Sequence, residues 1–195
     1  MNLLERFDDE VPGDVVALAP EKRAFRFAGT FILDFGLTAI CCLAALEVFA
    51  EIPESIAAFA GVLFFGHVIV GCYVGKVLVI NYLDNRGGDA RTYVLSSSLV
   101  DSGPYAWSRN PTYLLAFVQF LSWAAMLLWV QAFEPFHGLV VATMLAVPAA
   151  FYFVNERKIM PSEEATLRKL HGAAFDAYAA RVSRWLGRAR APLQG

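Results

Sequence analysis

Four apolar runs, at residues 27–50, 56–80, 111–130 and 137–154, constrain this chain more than any other feature. Each is near the roughly 20 residues that carry an α-helix across the hydrocarbon core of a bilayer. Hydrophobic residues make up 57% of the sequence, against about 45–50% in a soluble domain. The mean hydropathy is +0.49. The expected architecture is therefore all-α: one integral-membrane bundle of four transmembrane helices, with an amphipathic interfacial helix at the C-terminal end.

The polar segments between the runs set the topology. Residues 1–24 are acid-rich and broken by Pro12-Gly13 and Pro20, which suits a short surface segment and shows no cleavable signal core. The short turns at residues 51–55 and 131–136 hold no Lys or Arg. The N-terminal segment, the connector at residues 81–110 and the tail at residues 155–195 hold nearly all of them. The positive-inside rule then places both termini, the connector and the tail in the cytoplasm. Connector and tail share a side and can build one site.

Several classes are excluded. The net charge of −2 leaves no electrostatic footprint for nucleic acid. Cys41, Cys42 and Cys72 lie in apolar runs and suit packing rather than zinc or disulfides. His67, His137 and His171 are far apart and form no HxxH pair, so no metal site is expected. Within the spans, Gly71–Gly75 has the GxxxG spacing of close helix contacts. Asp34 and Lys76 lie at similar depth, and either they pair or Lys76 snorkels to the interface. Pro148 is expected to kink the fourth span.

Two stretches carry candidate chemistry. Residues 103–113 read GPYAWSRNPTY. Gly103-Pro104 makes a turn, Asn110 suits an N-cap and Pro111 the first helical position. Arg109, Tyr105, Trp107 and Tyr113 then crowd the membrane surface beside a helix N-terminus, where free backbone donors and the positive dipole end favour a carboxylate. Pro161-Ser162-Glu163-Glu164 reads locally as a helix start, with Ser162 as cap and two acids in the first turn. Beyond it, Leu167, Leu170, Ala174, Tyr178, Val182 and Trp185 draw one apolar stripe of helical period, flanked by Arg168, Lys169, Arg181, Arg184 and Arg188. Such a helix should lie on an anionic membrane surface.

Taken together, these motifs resemble a known family. Leu99-Val100-Asp101-Ser102-Gly103-Pro104-Tyr105, then Arg109-Asn110-Pro111 and Tyr113, a helical hairpin, Glu163-Glu164 with Leu167, and finally Gly172, Phe175, Tyr178, Val182 and Arg184 resemble the isoprenylcysteine carboxyl methyltransferase and phospholipid methyltransferase superfamily. The resemblance covers roughly residues 98–186. It implies a multi-span membrane enzyme that uses S-adenosylmethionine as cofactor and methylates a lipophilic acceptor. The family's Arg-His-Pro falls on Arg109, Asn110 and Pro111, so no imidazole titrates there. This substitution is associated with bacterial-type members and implies a bacterial inner membrane. The resemblance implies cofactor-binding roles for Gly103, Tyr105, Arg109, Asn110, Pro111, Tyr113, Glu163 and Glu164, and catalytic roles for Arg109 and Glu164. His171-Gly172 and Phe175 stand where the family has Phe-Gly and Tyr, at positions read as packing.

Two other readings compete. A membrane reductase of the sterol-reductase type would use NADPH, but the chain has no GxGxxG and no basic cluster in the connector to hold a phosphate. A non-enzymatic transporter or assembly protein would use Asp34, His67 and Lys76 as an intramembrane path, and leaves both motifs unexplained.

Overall fold

A computed structural model describes residues 36–41, 55–86, 98–133 and 138–188 of the chain. The expected N-terminal surface segment, most of the first run with Asp34 and Cys42, the turn at residues 51–54, and His137 lie outside the described residues, as does the Asp34–Lys76 pairing. The described residues are helical, with no strand among them.

Helix α1 spans Ile56–Asp84. Ser55 caps it by accepting from the Ala58 amide at 3.4 Å. Its 29 residues rise about 43 Å, well over a 30 Å hydrocarbon core. The helix therefore runs four residues past the expected end at Ile80 into the connector, because nothing before Gly87-Gly88 breaks it. That extra turn brings Tyr82 over residues 102 and 103.

Helix α2 spans Pro111–Gln131. It packs antiparallel to α1, as two glycine contacts show. A Cβ on Gly61 would strike the Trp129 ring, and one on Gly75 would lie 3.1 Å from Leu115. The Trp129 indole also donates to the Ala57 carbonyl at 3.1 Å. Gly71 meets no neighbour among the described residues, so the close approach of α1 to α2 uses Gly61 and Gly75, about four turns apart.

Helix α3 spans Gly138–Val154 and runs on through Pro148. It continues through a π turn, Asn155–Ile159, into α4, Met160–His171. Gly172, at φ +50, ends α4 and admits a change of direction into α5, Ala173–Arg181. Phe120 of α2 meets Phe151 of α3 at 5.1 Å between ring centroids. Around them Ala116, Ala124, Leu127, Val130, Met144, Val147 and Cys41 form the core.

α1 and α2 are long and apolar enough to cross a membrane; α3 is shorter. Only 22% of the most apolar window of α1 is buried. Phe59, Leu63, Phe64, Val70, Val74, Val77 and Leu78 are exposed on it. A core helix of a soluble protein would bury that face; a lipid-facing one leaves it open.

The tail corrects two expectations. The apolar stripe is not one helix: Gly172 splits it, and Val182 is extended backbone. Nor does the stripe form one outward face. Phe175, Tyr178 and Val182 are buried against Leu99, Tyr105 and Leu167, folding the tail over the connector. Trp185 packs between Phe117 and Tyr152, at 5.6 and 5.2 Å between ring centroids.

Candidate functional site

The connector is pinned first by Gly103. Its φ of +58 suits glycine, and a Cβ there would strike the Tyr82 ring. Tyr82 and Ser102 share a 3.0 Å hydrogen bond, and Arg86 donates to the same Ser102 hydroxyl at 3.3 Å. From this anchor a 3-10 turn, Gly103–Ala106, leads to Ser108, Arg109 and Asn110.

Residues 182–188 then clamp onto residues 107–110. The Arg109 amide donates to Ser183 O at 3.0 Å, and the Gly187 amide to Trp107 O at 2.8 Å. Asn110 Nδ2 donates to Arg184 O at 3.1 Å. Asn110 thus holds the N-cap position of α2, but its side chain makes no cap bond; the side chain is committed to the tail. Ser108 Oγ accepts from the Asn110 amide at 3.0 Å. The Tyr178 hydroxyl donates to Tyr105 O at 2.8 Å. Burial pushes the Tyr178 hydroxyl well above the usual phenol range, which keeps this donor protonated.

The charged groups meet beneath the clamp. Arg109 Nη1 lies 3.2 Å from Glu164 Oε1. Arg184 forks onto the same carboxylate, at 2.9 Å from Nε and 2.8 Å from Nη2. Its remaining nitrogen donates to Glu156, whose other oxygen accepts from the Trp185 indole at 2.7 Å. The hydrogen bond to Glu164 is the main reason that the Arg184 guanidinium is held above its ordinary range. Beside this chain of ions, the Tyr113 hydroxyl donates to Glu163 Oε1 at 2.8 Å.

The π turn explains how Glu156 and Glu164 reach one guanidinium. In a plain α-helix, residues eight apart differ by about 80° around the axis. One inserted residue brings the offset back to about 20°. The same register puts Asn155 on the face of Glu163. It also corrects the expected helix start: Pro161 and Ser162 lie inside a continuous helix, and no side chain caps α4 at Ile159. The acids at residues 163 and 164 face partners across the fold instead of a helix terminus.

The structure thus gathers Arg109, Tyr113, Glu163 and Glu164 at one place, although about 50 residues separate the two motifs. Gly103, Tyr105, Asn110 and Pro111 shape it without offering a side-chain group to its centre: Gly103 turns the chain, Tyr105 packs into the tail cluster, Asn110 holds Arg184 O and Pro111 opens α2. Glu156, Arg184 and Trp185 belong to the site but are not among the site residues expected from sequence. Arg184 reads there as the basic flank of an interfacial helix and Trp185 as part of its apolar stripe, although Arg184 also closes the family-like pattern, which is the available signal.

Arg109 Nε is buried and has no hydrogen-bond partner among the described residues. Arg109 and Arg184 both meet Glu164, and Arg184 also meets Glu156. No metal-binding group of His, Cys, Asp and Glu occurs among the described residues. Comparison with protein-family models, curated proteins and solved structures finds no match.

Proposed function

We propose that the chain is an integral-membrane methyltransferase. It uses S-adenosylmethionine and acts on a lipophilic acceptor at the cytoplasmic surface of a four-span bundle. The observation that carries this reading is the buried, unpartnered Nε of Arg109, set at the start of α2 beside two carboxylates. A guanidinium N–H aimed from a helix N-terminus suits a carboxylate. An adjacent Glu163 suits an ammonium or a ribose hydroxyl. The amino-acid end of the cofactor carries both charges. The resemblance of residues 98–186 to the methyltransferase superfamily points the same way.

The cofactor supplies a methyl group on a positive sulfur; the acceptor's lone pair takes the methyl carbon and the C–S electron pair stays on sulfur as a neutral thioether. The protein's task is to hold the two in line and keep water out. Arg109 fixes the anionic end. Tyr113 orients Glu163 by its hydrogen bond. The clamp at residues 182–188 covers the site, with Arg184 locking it to Glu164. A thiolate or carboxylate acceptor has no proton to lose; an amine would pass one to Glu163. The exposed apolar faces of α1 and α2 give an acceptor access from lipid.

The test is transfer. Purified protein is incubated with methyl-labelled S-adenosylmethionine and extracted bacterial membrane lipids, and the organic phase is counted. Label appears there with wild type and falls at least tenfold with Arg109→Ala that still melts cooperatively above the assay temperature. Well-folded protein that leaves the organic phase unlabelled contradicts the lipophilic acceptor.

A further inference from the structure

Asn155 opens the π turn and is fully buried. Its Nδ2 donates to Phe151 O at 2.8 Å. A carbonyl only accepts, so this bond fixes which end of the carboxamide is nitrogen. Its Oδ1 has no hydrogen-bond partner among the described residues. Buried acceptors are seldom left unmet, because they lose water and gain nothing. Holding the Phe151 carbonyl explains the nitrogen and leaves the oxygen unexplained. π turns are themselves rare and gather at functional sites.

The surroundings narrow the partner. Nδ2 is committed, so Asn155 offers one neutral acceptor and suits a neutral N–H more than an ammonium, for which Glu163 is at hand on the same helix face. Phe151 packs on Phe120, and the next residue, Tyr152, packs on Phe117 and Trp185. Phe120 and Phe151 belong to the core, while Phe117, Tyr152 and Trp185 are only partly buried and are the flat rings here that suit a planar heterocycle. We infer that Asn155 Oδ1 accepts a hydrogen bond from the exocyclic amine of the cofactor's adenine and selects that base. This rests on the proposed use of an adenosyl cofactor at the same site.

The experiment compares two ligands by calorimetric titration of the full-length protein. One is S-adenosylhomocysteine. The other is S-inosylhomocysteine, which has a carbonyl oxygen where adenine has its amine. Wild type prefers the adenosyl ligand by about tenfold or more, since the inosyl ligand sets two acceptors against each other. Asn155→Ser keeps a hydroxyl to donate one turn back to Phe151 but removes the carbonyl oxygen, and the preference falls below about threefold. Equal wild-type affinity for the two ligands overturns the assignment without any variant, as does an undiminished preference in Asn155→Ser. Failure of wild type to bind either ligand overturns the cofactor reading and this inference with it. Binding with no base preference overturns only this inference.

Discussion

Glu164 is held by two guanidinium groups while 10% of its side chain is exposed. Breaking a buried ion pair from one side leaves charge without a partner. Glu164→Gln should therefore cost about 3 kcal/mol in a denaturant melt, and Glu163→Gln, which loses the Tyr113 contact at a more open position, well under half of that. Arg184→Lys keeps the charge but loses the fork and should loosen the tail. Tyr178 adds a pH prediction. Its pKa is raised on folding, so its contribution is complete below the ordinary phenol value of about 10 and fades only as pH climbs through the elevated folded value. Tyr178→Phe should thus be destabilised by about 1 kcal/mol at pH 7, with the gap unchanged at pH 9 in parallel melts. Arg109 and the paired acids were legible in sequence because the spacing of the two motifs is distinctive. The roles of Asn110 and Ser162 were not: both types favour helix starts, and only tertiary contacts send one to Arg184 O and leave the other inside a helix.

At the scale of elements, the two long apolar helices α1 and α2 were legible because an apolar run of bilayer length has few other uses. The π turn was not, since one inserted residue leaves no compositional mark. Its consequence is testable. Inserting one alanine after Lys158, near the end of the turn, should add one helical step and swing Glu156 about 100° away from the face of Glu164. Helicity by circular dichroism should persist while S-adenosylhomocysteine binding is lost. Persistent binding would show that the register of Glu156 is irrelevant. The break in the tail had a signal in Gly172, which the continuous stripe across residues 167–185 overrode. At φ +50 an added Cβ strains the backbone, so Gly172→Ala should destabilise by about 1–2 kcal/mol. A helix running unbroken through Gly172 would instead gain from that change.

For the whole molecule, the fold reads as a membrane platform with a latch. α1 and α2 approach closely through Gly61 and Gly75, and the last turn of α1 carries Tyr82 onto Gly103. α3 continues into α4 as one rod, so Glu163 and Glu164 are presented beside the start of α2. The tail then returns through Gly172 and closes over Arg109. Sequence alone anticipated that connector and tail share a site, from charge asymmetry and from motif order. The latch itself is built from main-chain hydrogen bonds, which any residue type can make, and so it leaves no trace in side-chain patterns. The central claim is that Arg109 and the paired acids hold an adenosyl cofactor. Calorimetric titration of the detergent-purified protein with S-adenosylhomocysteine, wild type beside Arg109→Ala and Glu163→Gln, tests it most directly. The account predicts saturable binding weakened at least tenfold in both variants while each still melts cooperatively above the titration temperature. Binding that both folded variants retain in full would contradict it.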